Sequence, residues 1–167
     1  MSTMIRRTAT SLFFGAALAF SSIAPMPVQA RTQCAKVEKR DIAQLFDRWN
    51  QSLQTGSPDE VVKNYAKNGV LLPTVSNQVR RNHDEIKDYF VKFLKLKPMG
   101  KINQQNIRTF CNIAIDSGIY TFTLTNNNQP AEVQARYTFV YEKVGNKWLI
   151  TEHHSSAMPE TTNTSAQ

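Results

Sequence analysis

The side chains with chemical potential in this sequence are few. His153 and His154 are adjacent, and a histidine in a pocket can act as general base near neutral pH. Both fall at the end of an expected strand, where successive side chains point to opposite faces, so at most one can enter a pocket. Strict alternation groups His154 with Trp148 and Ile150, and His153 with Leu149 and Thr151. The duller role is a hydrogen-bonded structural histidine at the sheet edge. Arg136 is either a pocket arginine gripping an anion in bidentate fashion or a solvent-facing strand residue. Arg80 and Arg81 belong to a loop, either simply solvated or placed over a pocket mouth, where ligand contacts collect. Tyr65, Tyr89, Tyr120 and Tyr137 can donate phenolic hydroxyls to a ligand or serve as core aromatics. The in-sheet acids Asp116 and Glu152 lack an evident matched partner, and Asp116-Ser117-Gly118 reads as a turn or bulge. No His, Cys or carboxylate cluster completes a metal site, and His83 reads as a surface residue.

These groups must be positioned by helices first and strands afterwards. Ile42, Leu45, Phe46, Trp49 and Leu53 recur at helical spacing within Lys36 to Thr55, and Gly56 supplies a stop. Ser57-Pro58-Asp59-Glu60 starts a second helix carrying Val61, Val62, Tyr65 and Ala66, which Asn68-Gly69 ends. Val70 to Leu72 reads as a short strand and Thr74 to Arg81 as a loop. Asn82, with Glu85 at the capping-box position, opens a third helix whose buried stripe is Ile86, Tyr89, Phe90, Phe93 and Leu94. Four strands follow: Lys101 to Phe110, Asn112 to Thr125, Glu132 to Val144 and Lys147 to Ser155. Asn126-Asn127-Asn128 and Gly145-Asn146 supply hairpin turns. Helices followed by an antiparallel meander predict an α+β domain in which a curved sheet wraps the first helix to make a cone with a pocket inside.

The first thirty residues carry Arg6 and Arg7, an apolar run from about Leu12 to Ala24, and Val28-Gln29-Ala30 as an A-x-A-like site, which predicts a signal peptide cleaved after Ala30. Gly15, Ser21, Ser22 and Pro25 interrupt that run, short of the roughly 18 apolar residues of a membrane anchor. A periplasmic or secreted location follows, with one domain over 31–158, no membrane span in the mature protein and a disordered tail over 159–167. Loss of Arg6 and Arg7 reduces the formal charge from +7 to +5. The positive residues are dispersed, which argues against a nucleic-acid partner. Two cysteines remain, Cys34 and Cys111. An oxidising compartment favours a bridge between them, worth about 3 to 4 kcal/mol at best across so long a loop. Two unpaired thiols are the alternative.

Several segments carry a family resemblance. They are Leu45-Phe46-Asp47-Arg48-Trp49-Asn50, Asn64-Tyr65-Ala66, Val70-Leu71-Leu72-Pro73-Thr74, Ala135 through Tyr141, Trp148-Leu149-Ile150, and His153-His154-Ser155-Ser156-Ala157-Met158-Pro159. Together they resemble the SgcJ/EcaC-type, SnoaL-like set of exported bacterial proteins. That set is similar to the association (hub) domain of calcium/calmodulin-dependent protein kinase II, within the nuclear-transport-factor-2-like, cystatin-like fold. The resemblance spans about Cys34 to Glu160. It implies three helices on a curved, mostly antiparallel sheet, assembly into homodimers or larger homo-oligomers through the open sheet face, and a cone that binds a small organic anion. It also implies an alternative, an isomerase- or cyclase-like enzyme acting on a polyketide- or steroid-like substrate by proton abstraction, with His153 or His154 as base. Where the hub motif continues His-Arg-Ser, this chain has His154-Ser155-Ser156. No kinase motif occurs, and no G-x-G-x-x-G follows a strand, so no cofactor is expected.

Overall fold

A computed structural model describes Cys34 and residues 37–159. The expected signal peptide and cleavage point, and residues 160–167 of the expected tail, lie outside the described residues. The elements run α1 (Lys39–Gln54), α2 (Pro58–Val62), β1 (Tyr65–Leu72), α3 (His83–Phe93), a 3-10 turn (Leu94–Leu96), β2 (Met99–Thr109), β3 (Ile113–Asn126), β4 (Gln129–Val144) and β5 (Lys147–Ala157). The five strands form one sheet in the order β1-β5-β4-β3-β2, antiparallel throughout except for the parallel β1–β5 pair. No helix among the described residues is long and apolar enough to cross a membrane.

The apolar stripe of α1 is buried as its spacing predicts, with Ile42, Leu45, Phe46, Trp49 and Leu53 all in the core. Polar side chains then fix the helix against both ends of the sheet. Asn50 exchanges two 2.9 Å hydrogen bonds with the Gly100 backbone of β2, donating from Nδ2 and accepting on Oδ1. On the other side, Arg48 donates to Asn64 Oδ1 at 2.9 Å and to the Trp148 carbonyl at 2.8 Å. Helix α3 is capped by Asn82, whose Oδ1 accepts from the Glu85 amide at 2.9 Å, and Glu85 returns the contact by accepting from Asn82 Nδ2 and from the Arg81 amide. Asn82→Ala should lower the unfolding free energy by about 1 kcal/mol. A lower urea midpoint at unchanged m-value is the expected signature.

Four details depart from the sequence reading. Helix α2 ends at Val62, so Tyr65 and Ala66 lie in β1 instead of the helix, and Asn68-Gly69 is carried within that strand at a register irregularity between Tyr65 and Val70. Asp116-Ser117-Gly118 is not a turn or bulge: it lies in the middle of β3, and the irregularity falls on the neighbouring strand, at Asn103 of β2, across from Ile119 and Tyr120. His83 is half-buried, with Nε2 at 3.1 and 3.0 Å from the carbonyl oxygens of Tyr65 and Ala66. Strand β5 also irregularly pairs with β4, Val140 facing Glu152 and Tyr141 facing Ile150, so that Thr151 is the extra residue of a bulge. The expected bridge is formed: Cys34 and Cys111, 77 residues apart, are disulfide-bonded and tie the segment before α1 to the β2–β3 connection.

Candidate functional site

The bulge at Thr151 decides which histidine faces the interior. Because one extra residue restarts the alternation, Ile150 and His153 share the helix-facing side, and His154 turns to the open side, where it is exposed. This reverses the grouping expected from strict alternation. His153 is only 3% exposed, stacked on Phe139 at 4.0 Å between ring centroids and edge-on to Trp49 at 5.2 Å. Its Nδ1 lies 2.9 Å from the Tyr65 hydroxyl, while its Nε2 is buried with no partner among the described residues. Burial with little compensation pushes the imidazole pKa down to about 3, and His154 adds to the depression, so the ring is neutral across the physiological range. One proton then sits on one nitrogen. If Nδ1–H donated to the phenol oxygen, the buried phenol proton would lack an acceptor; the arrangement with fewer unsatisfied groups has the Tyr65 O–H donating to Nδ1 and Nε2–H as the free donor.

His153 lines a narrow cavity of about 40 Å³ enclosed by α1, α3, the segment after β1 and strands β3 to β5. Its walls are mostly apolar, from Trp49, Phe90, Phe93, Phe122 and Leu124. The polar contributions are His153 and a chain of hydroxyls in which Tyr120 donates to Ser155 Oγ at 2.5 Å and Thr74 Oγ1 is hydrogen-bonded to the same oxygen. Burial raises the pKa of both Tyr120 and Tyr89, so these phenols remain protonated donors. Among the described residues, no carboxylate and no arginine lines the cavity.

Of the residues expected at a pocket, the structure brings together His153, Tyr120 and Tyr89, with Tyr65 behind the histidine. Arg80 lies outside the cavity, nine-tenths buried in an adjoining hollow and ion-paired with Asp88 at 2.8 Å. Arg136 is exposed and on the open side of the sheet, with Nη2 near the Ala157 carbonyl, so it is the solvent-facing residue of the two options. Arg81 is exposed. Tyr137 is buried but turned away from the cavity: its hydroxyl donates to Asp116 Oδ1 at 3.0 Å, and Gln105 Nε2 donates to Oδ2 at 2.9 Å. Asp116 therefore has partners that the sequence did not reveal. Its carboxyl pKa is raised by burial, against the lowering effect of those two hydrogen bonds. Period-two parity with Ala114, Tyr120 and Phe122 was the available signal for its burial. Ser155, Thr74 and Trp49 were not singled out as site residues; Ser155 shares the parity of His153 and was legible from it, whereas Thr74 arrives only through loop geometry. Among the described residues no group of three or more His, Cys, Asp or Glu stands ready to hold a metal ion.

Residues 38–159 match the family model for the calcium/calmodulin dependent protein kinase II association domain. Among solved structures, a Xanthomonas campestris protein named for that association domain is 52% identical, with a TM-score of 0.73 over 80% of this chain and 100% of that one. The hub homology domain of Chlamydamonas reinhardtii is 17% identical, with a TM-score of 0.61 over 71% of this chain and 96% of that one. A nuclear transport factor 2-like superfamily protein from Salmonella enterica is 20% identical, with a TM-score of 0.62 over 77% and 96% of the two chains. The latter two show the shared nuclear-transport-factor-2-like fold, in agreement with the α+β architecture above. No curated protein matches the chain. On the family match and the similarity to the Xanthomonas protein, this chain belongs to the calcium/calmodulin dependent protein kinase II association domain family.

Proposed function

We propose that this chain is an exported, non-catalytic association-type domain of the SgcJ/EcaC, SnoaL-like kind, which assembles through the open face of its sheet and binds a small organic acid in the cavity. The observation that carries the ligand reading is His153: a buried imidazole whose Nε2 has no partner among the described residues, lining a cavity walled mostly by hydrocarbon. Such a donor suits an oxygen acceptor on a ligand with an apolar body. Proton abstraction is less well supported. A base pushed to a pKa of about 3 is mismatched to chemistry near neutrality, and among the described residues no carboxylate lines the cavity to replace it.

The assembly reading draws on the sheet face opposite the helices, where Ile115, Ile119, Val140 and Leu149 remain only half-buried in the single chain. Export is supported by the basic and apolar N-terminal segment and by the Cys34–Cys111 disulfide. Native mass spectrometry of the mature protein as purified tests both parts. The expected result is a dimer or larger oligomer carrying extra small-molecule mass, converted to monomer by Val140→Glu. A bare monomer at micromolar concentration would overturn the assembly reading.

A further inference from the structure

The Cys34–Cys111 bridge stands apart from the cavity and at the surface. Both cysteines are exposed, neither belongs to a helix or a strand, and both line an open hollow of about 560 Å³ together with Val37, Glu38, Thr109 and Phe110. A thiolate that attacks a disulfide needs a free path to one of the sulfurs. A bridge open to solvent is therefore reached in the folded protein, whereas a buried one waits for the fold to open.

The segments that the bridge joins are also held without it. Cys111 occupies the turn between β2 and β3, where the Phe110 amide donates to the Ile113 carbonyl at 2.8 Å and the Lys143 amide of β4 donates to the Asn112 carbonyl at 2.8 Å. On the other side, α1 begins only at Lys39, and the Asp41 and Ile42 amides close its first turn on the Glu38 carbonyl. The helix is anchored by the fully buried Ile42 and by the paired Asn50–Gly100 bonds. Breaking the S–S bond separates Cys34 from the turn and leaves all of these contacts in place. The stabilising effect of the bridge lies instead in the unfolded chain, where it ties together residues 77 positions apart.

We propose that the Cys34–Cys111 bridge is a redox modification site: a dithiol reductant, of the kind a thiol–disulfide oxidoreductase carries, opens it in the folded protein and leaves two free cysteines. One thiolate of the dithiol attacks a bridge sulfur, the S–S bond breaks, and the other cysteine departs as a thiolate that takes up a proton. The second thiolate of the reductant then displaces the first cysteine from the mixed disulfide. Two electrons and two protons pass to the protein, and the reductant leaves as its own disulfide. Redox state and stability are thereby linked, because the reduced protein keeps the same sheet but loses the restraint on its unfolded chain.

Dithiothreitol is the probe. The mature protein is treated with it at about pH 8, where thiols are partly ionised, without urea and at urea concentrations below the unfolding transition. Samples are quenched with iodoacetamide and weighed by mass spectrometry, while near-ultraviolet circular dichroism follows the aromatic core. Both cysteines should be alkylated at a rate proportional to dithiothreitol concentration and changed less than about twofold by urea, with the aromatic signal retained; a reaction that required global unfolding would accelerate about fivefold or more per molar urea. The variant carrying both Cys34→Ser and Cys111→Ser tests the fold separately from the kinetics. It should keep the wild-type aromatic spectrum and share the urea midpoint of the reduced protein, below that of the oxidised one. Failure of reduction without urea, a rate that climbs steeply with urea, or loss of the aromatic signal on reduction or in the double variant would overturn the proposal.

Discussion

Gly118→Ala is expected to cost about 4 kcal/mol or more, a large fraction of the roughly 5 to 15 kcal/mol that keeps a domain folded, and to lower the urea midpoint steeply. A Cβ at this position would lie 1.8 Å from the Gln104 carbonyl oxygen and 2.7 Å from its carbon. Both atoms are backbone, so no rotamer change relieves the clash. The approach exists because β2 carries an irregularity between Ile102 and Gln104, which presses the Gln104–Gln105 backbone onto β3 where Gln105 pairs with Gly118. Relief requires β2 to withdraw, and with it the Asn50–Gly100 docking of α1 and the Gln105 bond to Asp116. Urea denaturation, with near-ultraviolet circular dichroism as the probe of packing, is the measurement. Gly145→Asn is the control: that turn glycine has φ +58° and nothing within 4 Å of the added Cβ, and asparagine tolerates the left-handed region, so a loss below about 1 kcal/mol is expected. A Gly118→Ala protein as stable as the control would show that the two strands do not meet as closely as described.

The element order and the core were legible because long apolar periods leave little ambiguity. The stripe of α1, the capping boxes of α2 and α3 and the alternation in β4 each have a physical signature confined to a dozen neighbouring residues. What was not legible is where that periodicity slips. Thr151 carries no local mark of a bulge, since its polar, β-branched side chain suits either face of a strand, yet it moves His153 inward and His154 outward. Asp116-Ser117-Gly118 reads locally as a turn or bulge, yet those residues pair regularly and the extra residue is on the neighbouring strand; a single sequence does not tell which of two paired strands bulges. Arg136 and Arg80 are chemically alike, and only tertiary placement separates them: one lies on the open side of the sheet, the other within the β1–α3 connection, held by the backbone pairing of Leu71 with Arg80.

Acid should destabilise this protein well before its carboxylates are protonated, with His153 as the cause. In the unfolded chain the imidazole titrates near 6.5, whereas in the folded chain its pKa is about 3, because burial removes water from the charged form and His154 stands next to it. Below pH 6.5 the unfolded state therefore binds a proton that the folded state refuses. The stabilisation is complete above pH 6.5 and declines as pH falls toward 3, at about 1.4 kcal/mol per unit. Asp116 acts in the opposite sense: its pKa is raised on folding, so it weakens the fold near neutrality and regains that loss as pH drops through its folded value toward 3.8. Urea unfolding at half-unit steps from pH 7 to 4 should trace the decline. His153→Gln keeps an acceptor for the Tyr65 hydroxyl and removes the titrating group, so its profile should flatten over the same range. A wild-type profile already flat to pH 4, or a slope unchanged in the variant, would mean that the buried ring is not the proton-sensitive group. It would also take away the reason for treating Nε2–H as a fixed donor to a ligand, since that assignment depends on an imidazole that stays neutral and holds its single mobile proton on the cavity side.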